Sequence, residues 1–216
     1  RLNPGGVFCQ WFHSYHMRPE DFRLVARTFA AVFPHAVLLS NGEADYFLLG
    51  SDSPLEPDYA RFKAVYGADG EFRRDLRRLG TAFDHPFLLL TGTFQLGDKD
   101  LRRWAGDGPL HLDDRPTLES NAARSMGRAT AGAALAGITA AKTSWTPPGA
   151  RNLDVKNRDL AILFAKAAET LLDAGRADKA EEPLRQALRY DPRSGRAWTA
   201  YGRWLDALDR RDEAAA

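Results

Sequence analysis

Val7-Phe8-Cys9-Gln10-Trp11-Phe12 follows directly on a turn, Leu2-Asn3-Pro4-Gly5-Gly6. A continuous apolar run bounded by turn residues reads as a strand of the kind buried in a parallel sheet. Working outward, Pro19-Glu20-Asp21 opens a helix, with proline and acids in its first turn. Phe22, Val25, Ala26, Phe29 and Phe33 recur at helical spacing, so one face of that helix is apolar, and Pro34 stops it. Two strands follow, His35 to Leu39 and Tyr46 to Leu49, joined by the hairpin-type residues Asn41-Gly42-Glu43-Ala44-Asp45. The order strand, helix, strand, strand predicts a parallel crossover ending in an antiparallel pair, an α/β fold. A chain rarely begins one turn before a central strand. Asp212-Glu213-Ala214-Ala215-Ala216 reads as the first turn of a further helix. Both ends are therefore expected to continue in a longer protein.

The 216 residues suffice for one or two domains. Apolar residues make up 44% and charged residues 27%, an ordinary globular balance. The formal net charge of +1 argues against a nucleic-acid partner, because holding a phosphate backbone takes concentrated basic charge. No apolar run approaches the ~20 residues that span a bilayer, so no membrane segment is expected. Cys9 is the one cysteine, which excludes an internal disulfide and a thiolate zinc site and fits a reducing, cytoplasmic location.

From Ser51 to Gly106 the pattern is helical: Pro57 to Tyr66, Gly70 to Leu79 and Lys99 to Trp104 are short helices separated by glycines. Phe72, Leu76 and Leu79 predict a buried stripe on the second, and Arg73, Arg74, Arg77 and Arg78 cover the rest. That arginine run reads as a solvated face, with a phosphate or partner patch as the alternative. Ala129 to Ala141 is rich in Ala and Gly, and Thr146-Pro147-Pro148-Gly149 is punctuation. The predicted organisation is an α/β domain over 1–126, a linker over 127–155 and a helical segment over 156–216.

The last segment repeats. Ala161 to Glu182 aligns with Gly195 to Ala216 at an offset of 34, pairing Phe164 with Trp198, Ala168 with Gly202, Leu171 with Leu205 and Ala180 with Ala214. Arg176 and Asp178 recur as Arg210 and Asp212. Small residues at Ala168, Gly202 and Ala180 let helices approach, while Phe164, Trp198, Leu171, Leu184 and Leu188 are expected to fill the space between units. Asp191-Pro192 turns the chain. The period and the small-residue pattern resemble the tetratricopeptide repeat. Two readings stand: a groove for a protein partner, or a packing element that closes the first domain.

The stretch Leu2 to Trp11 is similar to the turn and strand in the second half of the spermidine synthase family. Arg27-Thr28-Phe29, Val32-Phe33-Pro34-His35 and Leu48-Leu49-Gly50-Ser51 continue the match. His111-Leu112-Asp113-Asp114-Arg115-Pro116-Thr117-Leu118-Glu119 resembles a stretch of large bacterial members in which the synthase-like domain is fused to a membrane region. The resemblance covers Arg1 to Met126. It implies the second half of a methyltransferase-like, Rossmann-type doubly wound sheet. It also implies a parent that transfers an aminopropyl group from decarboxylated S-adenosylmethionine to a polyamine, a displacement that needs a positioned amine and a carboxylate to take its proton. The family's nucleotide site and proton-accepting Asp lie in the upstream half, so this chain alone is expected to bind no cofactor and to be inactive.

Within the resemblance, Gln10 matches a glutamine on the floor of the polyamine pocket. Trp11 stands where the family has an acid. Ser40-Asn41-Gly42-Glu43-Ala44-Asp45 stands where it has a Tyr-Pro-Ser-Gly-like segment. His13 and His16, with Asp21 nearby, read either as a metal site or as a polar loop at the carboxyl end of a strand, where open α/β sheets bind ligands. Asp113 and Asp114 read either as a cation site or as residues closing a turn before Pro116. The substrate-binding candidates are thus Gln10, Trp11, His13, Asp113 and Asp114. Cys9 reads as a small buried apolar residue. No nucleophile elbow and no phosphate loop occur. Two other functions stay open: a non-catalytic scaffold that docks a protein through the repeats, and an S-adenosylmethionine-dependent methyltransferase. A strand left without its neighbour is also expected to pair with a second copy as a homodimer, to aggregate, or to be covered by the chain's own helices.

Overall fold

The computed structural model describes residues 2–15, 17–41, 44–68, 70–78, 85–125 and 137–208. It is a mixed α/β structure that divides into two compact units, residues 1–63 with 89–152, and residues 64–88 with 153–216.

The first unit is built on four strands, β1 (Phe8–His13), β2 (His35–Ser40), β3 (Asp45–Ser51) and β4 (Phe94–Leu96), in the spatial order β1-β3-β2-β4. Every neighbouring pair is antiparallel. Because β3 is antiparallel to both β1 and β2, those two run in the same direction, and helix α1 (Pro19–Val32) makes the crossover between them. The hairpin strand then returns between them, with Phe8 opposite Gly50 and Ala36 on the far side of Gly50.

The burial of β1 corrects the expectation of a central strand. β1 is an edge: four of its six residues are exposed, Phe8 is 42% and Trp11 50% accessible, and Cys9 lies exposed instead of buried. The cause is the topology. The apolar run is paired with β3 on one side only, so its side chains have half the neighbours that a central strand supplies.

One face of the sheet carries the core. Phe22 of α1 is wholly buried, its ring 4.8 Å from those of Phe12 and Tyr46 and 5.1 Å from Trp104. Trp104 belongs to α5 (Asp98–Ala105), which packs beside α1. Each of these helices satisfies the other's last carbonyls, groups that no helix can bond internally. Arg27 donates to the carbonyls of Ala105, Gly106, Asp107 and Pro109, and Arg102 donates to those of Ala30, Phe33 and Pro34.

Between β3 and β4 the chain forms α2 (Tyr59–Ala68), α3 (Gly70–Arg78) and α4 (Pro86–Thr93), of which residues 64–88 belong to the second unit. The buried stripe expected on α3 is corrected. Phe72 is 38% accessible, Leu76 is half-buried, and Leu79 lies outside the described residues. Arg74 and Arg78 pair with Glu71 and Asp75 of the same helix, as a solvated face does. After α5, a turn leads to α6 (Thr117–Ser125).

The second unit contains α7 (Asn157–Asp173), α8 (Glu181–Tyr190) and α9 (Gly195–Ala207). Ala165, Ala187 and Ala197 form one cluster, and Ala168, Ala180, Leu184, Ala200, Trp204 and Leu205 another, so small residues stand where the helices meet. Gly175 at φ +71 turns the chain after α7, and Ser194 caps α9 by accepting from the Ala197 N–H. Arg196 holds Glu169 through two bonds of 2.9 and 2.8 Å. Trp198 does not fill the space expected of it: it is 53% accessible, and its indole N–H donates to the Pro192 carbonyl. Phe164, its partner in the repeat, stacks on Tyr190 at 5.6 Å. The repeat partners Arg210, Asp212 and Ala214 lie outside the described residues.

Candidate functional site

The carboxyl end of β1 and the loop that leads into α1 gather aromatic rings and carboxylates. Alternation along the strand sends Trp11 and His13 to one face and Gln10 to the other, with Phe8 and Phe12. The exposed Trp11 indole donates to Asp45 Oδ1 at 3.1 Å, and Asn41 Nδ2 donates to Asp45 Oδ2 at 3.1 Å. The His13 ring lies flat on Tyr15, centroids 3.7 Å apart and planes 7° from parallel, with Trp11 at 5.7 Å. His13 Nδ1 faces the Tyr15 carbonyl at 3.1 Å. A carbonyl only accepts, so Nδ1 is the donor in this contact. Gln10 Nε2 donates to the Trp11 carbonyl.

Behind this surface, Asp21 is buried at the start of α1. Arg18 grips it with bonds of 2.9 and 3.0 Å, and Asn121 of α6 donates to it at 2.6 Å. Burial pushes the Asp21 carboxyl up, but the Arg18 and Asn121 hydrogen bonds and the Arg18 charge outweigh that and hold it below the ordinary carboxylate value. The network ties α6 to the loop after β1. Nearby, burial raises the Tyr46 phenol, which a hydrogen bond from Ser14 partly offsets.

Of the residues singled out in the sequence, Trp11 and His13 come together, and Gln10 sits beside them in the chain but on the opposite face. Asp113 and Asp114 lie elsewhere. They are the exposed central residues of a turn closed by the Arg115 N–H on the Leu112 carbonyl. His16 lies outside the described residues. Among the described residues, no group of three or more His, Cys, Asp or Glu could hold a metal ion. Sequence reasoning missed Tyr15, Asp45 and Asn121 as contributors. The hairpin register predicted by the turn signal could have found Asp45, which faces His13 across β3. Nothing local points to Asn121, 100 residues from its partner.

The exposed Trp11 ring beside the Asp45 carboxylate, with the exposed Tyr15 ring on the far side of His13, could hold an organic cation. Ring faces hold an ammonium group by their quadrupole, and the carboxylate fixes its position. Among the described residues no helix is long and apolar enough to cross a membrane. Comparison with protein-family models, curated proteins and solved structures found no match for this chain.

Proposed function

We propose that the first unit is the second half of a methyltransferase-type sheet from a spermidine synthase-like protein, and that Trp11, His13, Tyr15 and Asp45 hold the alkylammonium chain of a polyamine. The observation that carries this reading is the strand order. An antiparallel strand inserted between two parallel ones, joined by a helical crossover, is what the end of such a sheet requires. The free edge of β1, with Phe8 and Trp11 exposed on it, is where the remaining strands would add. Trp11 stands in for the family's acid, and Asp45 brings a carboxylate back to the same place from the neighbouring strand. The parent would take decarboxylated S-adenosylmethionine as co-substrate, and this chain alone would bind the polyamine without transferring anything to it. We read α7, α8 and α9 as a tetratricopeptide-like element, supported by the alanine clusters at the helix contacts.

Thermal melting with spermidine, putrescine and methylthioadenosine tests this. Spermidine at ~100 times its dissociation constant adds about 2.7 kcal/mol and raises the melting temperature of the first unit. Methylthioadenosine leaves it unchanged. A shift with the nucleoside alone, or none with either polyamine, overturns the proposal.

A further inference from the structure

The face of the sheet opposite the core, the face that Trp11 and His13 also occupy, holds a cavity of about 490 Å³. Val37 and Leu39 of β2, Leu49 of β3, Phe62 of α2, Leu90 of α4 and Phe94 of β4 line it. Ligand cavities fall in the range of about 300–1,000 Å³ and are mostly apolar with a few placed polar groups. This one has that size and that lining.

Its side-chain hydroxyls are already used. Ser51 Oγ donates to the Gly6 carbonyl and accepts from the Ser53 N–H, Ser53 Oγ donates to Asp52, and Thr93 Oγ1 donates to the Leu89 carbonyl. The interior therefore offers an apolar surface with its hydroxyl donors spent. The one ionisable wall residue is Glu56, 48% accessible, whose carboxylate lies 3.9 Å from Arg151 Nε, too long for a formed hydrogen bond. A carboxylate at the rim of an apolar hole selects a guest with an apolar body and a donating head.

We propose that this cavity binds a small amphiphilic amine: an alkyl or aryl body of about ten to fifteen non-hydrogen atoms, at roughly 30 Å³ per water-sized group, inside the sheet face, and an ammonium group on Glu56. The site lies on the same sheet face as the polyamine surface, Leu39 and Trp11 both standing opposite Phe47, but shares no residue with it.

Titration calorimetry with n-decylamine, decanol and decanoate, each below its aggregation concentration, tests the proposal on the whole chain. Decylamine binds saturably at one per chain, decanol more weakly, and decanoate weakest because its head meets Glu56. Glu56→Gln weakens decylamine by up to about fivefold, the value of an exposed ion pair, and leaves decanol unchanged. Leu39→Trp takes up part of the cavity and weakens binding of both. Leu90→Phe intrudes from the helix side and weakens both by less, and it replaces the tryptophan variant if that one fails to fold. Absence of binding, more than one amine per chain, or undiminished binding in both variants overturns the proposal. So does a dimer that Leu39→Trp dissociates and decylamine does not enter, for then a second copy occupies the face.

Discussion

Gly50 stands where β3 passes beneath the aromatic cluster that closes the core, and replacing it with alanine sets two effects against each other. A strand glycine is entropically costly, and alanine should recover about 0.5–1 kcal/mol. The added Cβ, however, would overlap Cγ and Cδ2 of Phe33 and sit 2.7 Å from Cε1 of Phe29. Cγ is the fixed end of the phenyl ring, so Phe33 cannot clear the methyl by a small rotation. Its ring is also held between Phe8, at 5.7 Å and 13° from parallel, and Phe29, at 4.7 Å. Overpacking of this kind costs about 1–3 kcal/mol, and disturbing a stacked pair adds about 0.5–1.5 kcal/mol. The clash wins, and Gly50→Ala should destabilise the first unit by about 2 kcal/mol in urea unfolding. Phe33→Ala removes both obstructing atoms, so in that background the same substitution should cost under about 0.5 kcal/mol. The cycle then gives a coupling of about 1.5 kcal/mol, within the range for residues in contact. A neutral or stabilising Gly50→Ala, or an equal cost in both backgrounds, would refute the close approach of these rings to the strand.

Three further outcomes follow from individual groups. The folded Asp21 carboxyl lies below its ordinary value of 3.8, so its contribution is complete above that pH and is lost as pH falls through the folded value. The urea midpoint should drop between pH 5 and strongly acid conditions, and Asp21→Asn should flatten that drop; an unchanged acid profile would contradict the network. Lys142 is desolvated down to about 8 from 10.5, with its ammonium group on the Phe94 carbonyl and 4.7 Å from the Trp145 ring centre. The unfolded chain then binds more protons between these values, so stability should rise from pH 8 to 10.5, and Lys142→Met should abolish the rise. Phe8→Lys puts a charge on the open edge of β1 and should lower concentration-dependent association in sedimentation; equal association in both proteins would show that the edge is not the contact.

The first 51 residues were legible in their order because each element carries its own punctuation. Pro19 starts the helix, Pro34 ends it, and the hairpin turn separates β2 from β3. Phe22, Ala26 and Phe29 were found as the core face because helical period and burial coincide there. The burial of β1 was not legible, since an apolar run looks the same whether one or two strands flank it. β4 was missed because Phe94-Gln95-Leu96 follows α4 with no turn between them, and a short apolar run does not distinguish helix from strand. On α3, an amphipathic pattern predicted burial for Phe72, but such a pattern says which face is apolar and not whether anything covers it. At the site, Trp11 and His13 were legible as the end of a strand. The carboxylate they share was not, because Asp45 reaches Trp11 only through the register of β3.

The most direct test of the account is a two-dimensional NMR titration of the labelled chain with spermidine, read against sodium chloride at equal ionic strength. The account predicts saturable shifts concentrated on the Trp11 indole, His13, Tyr15 and the Asp45 amide, with Asp113 and Asp114 unmoved. Shifts that track ionic strength alone, or that gather on the Asp113–Asp114 turn, would contradict it.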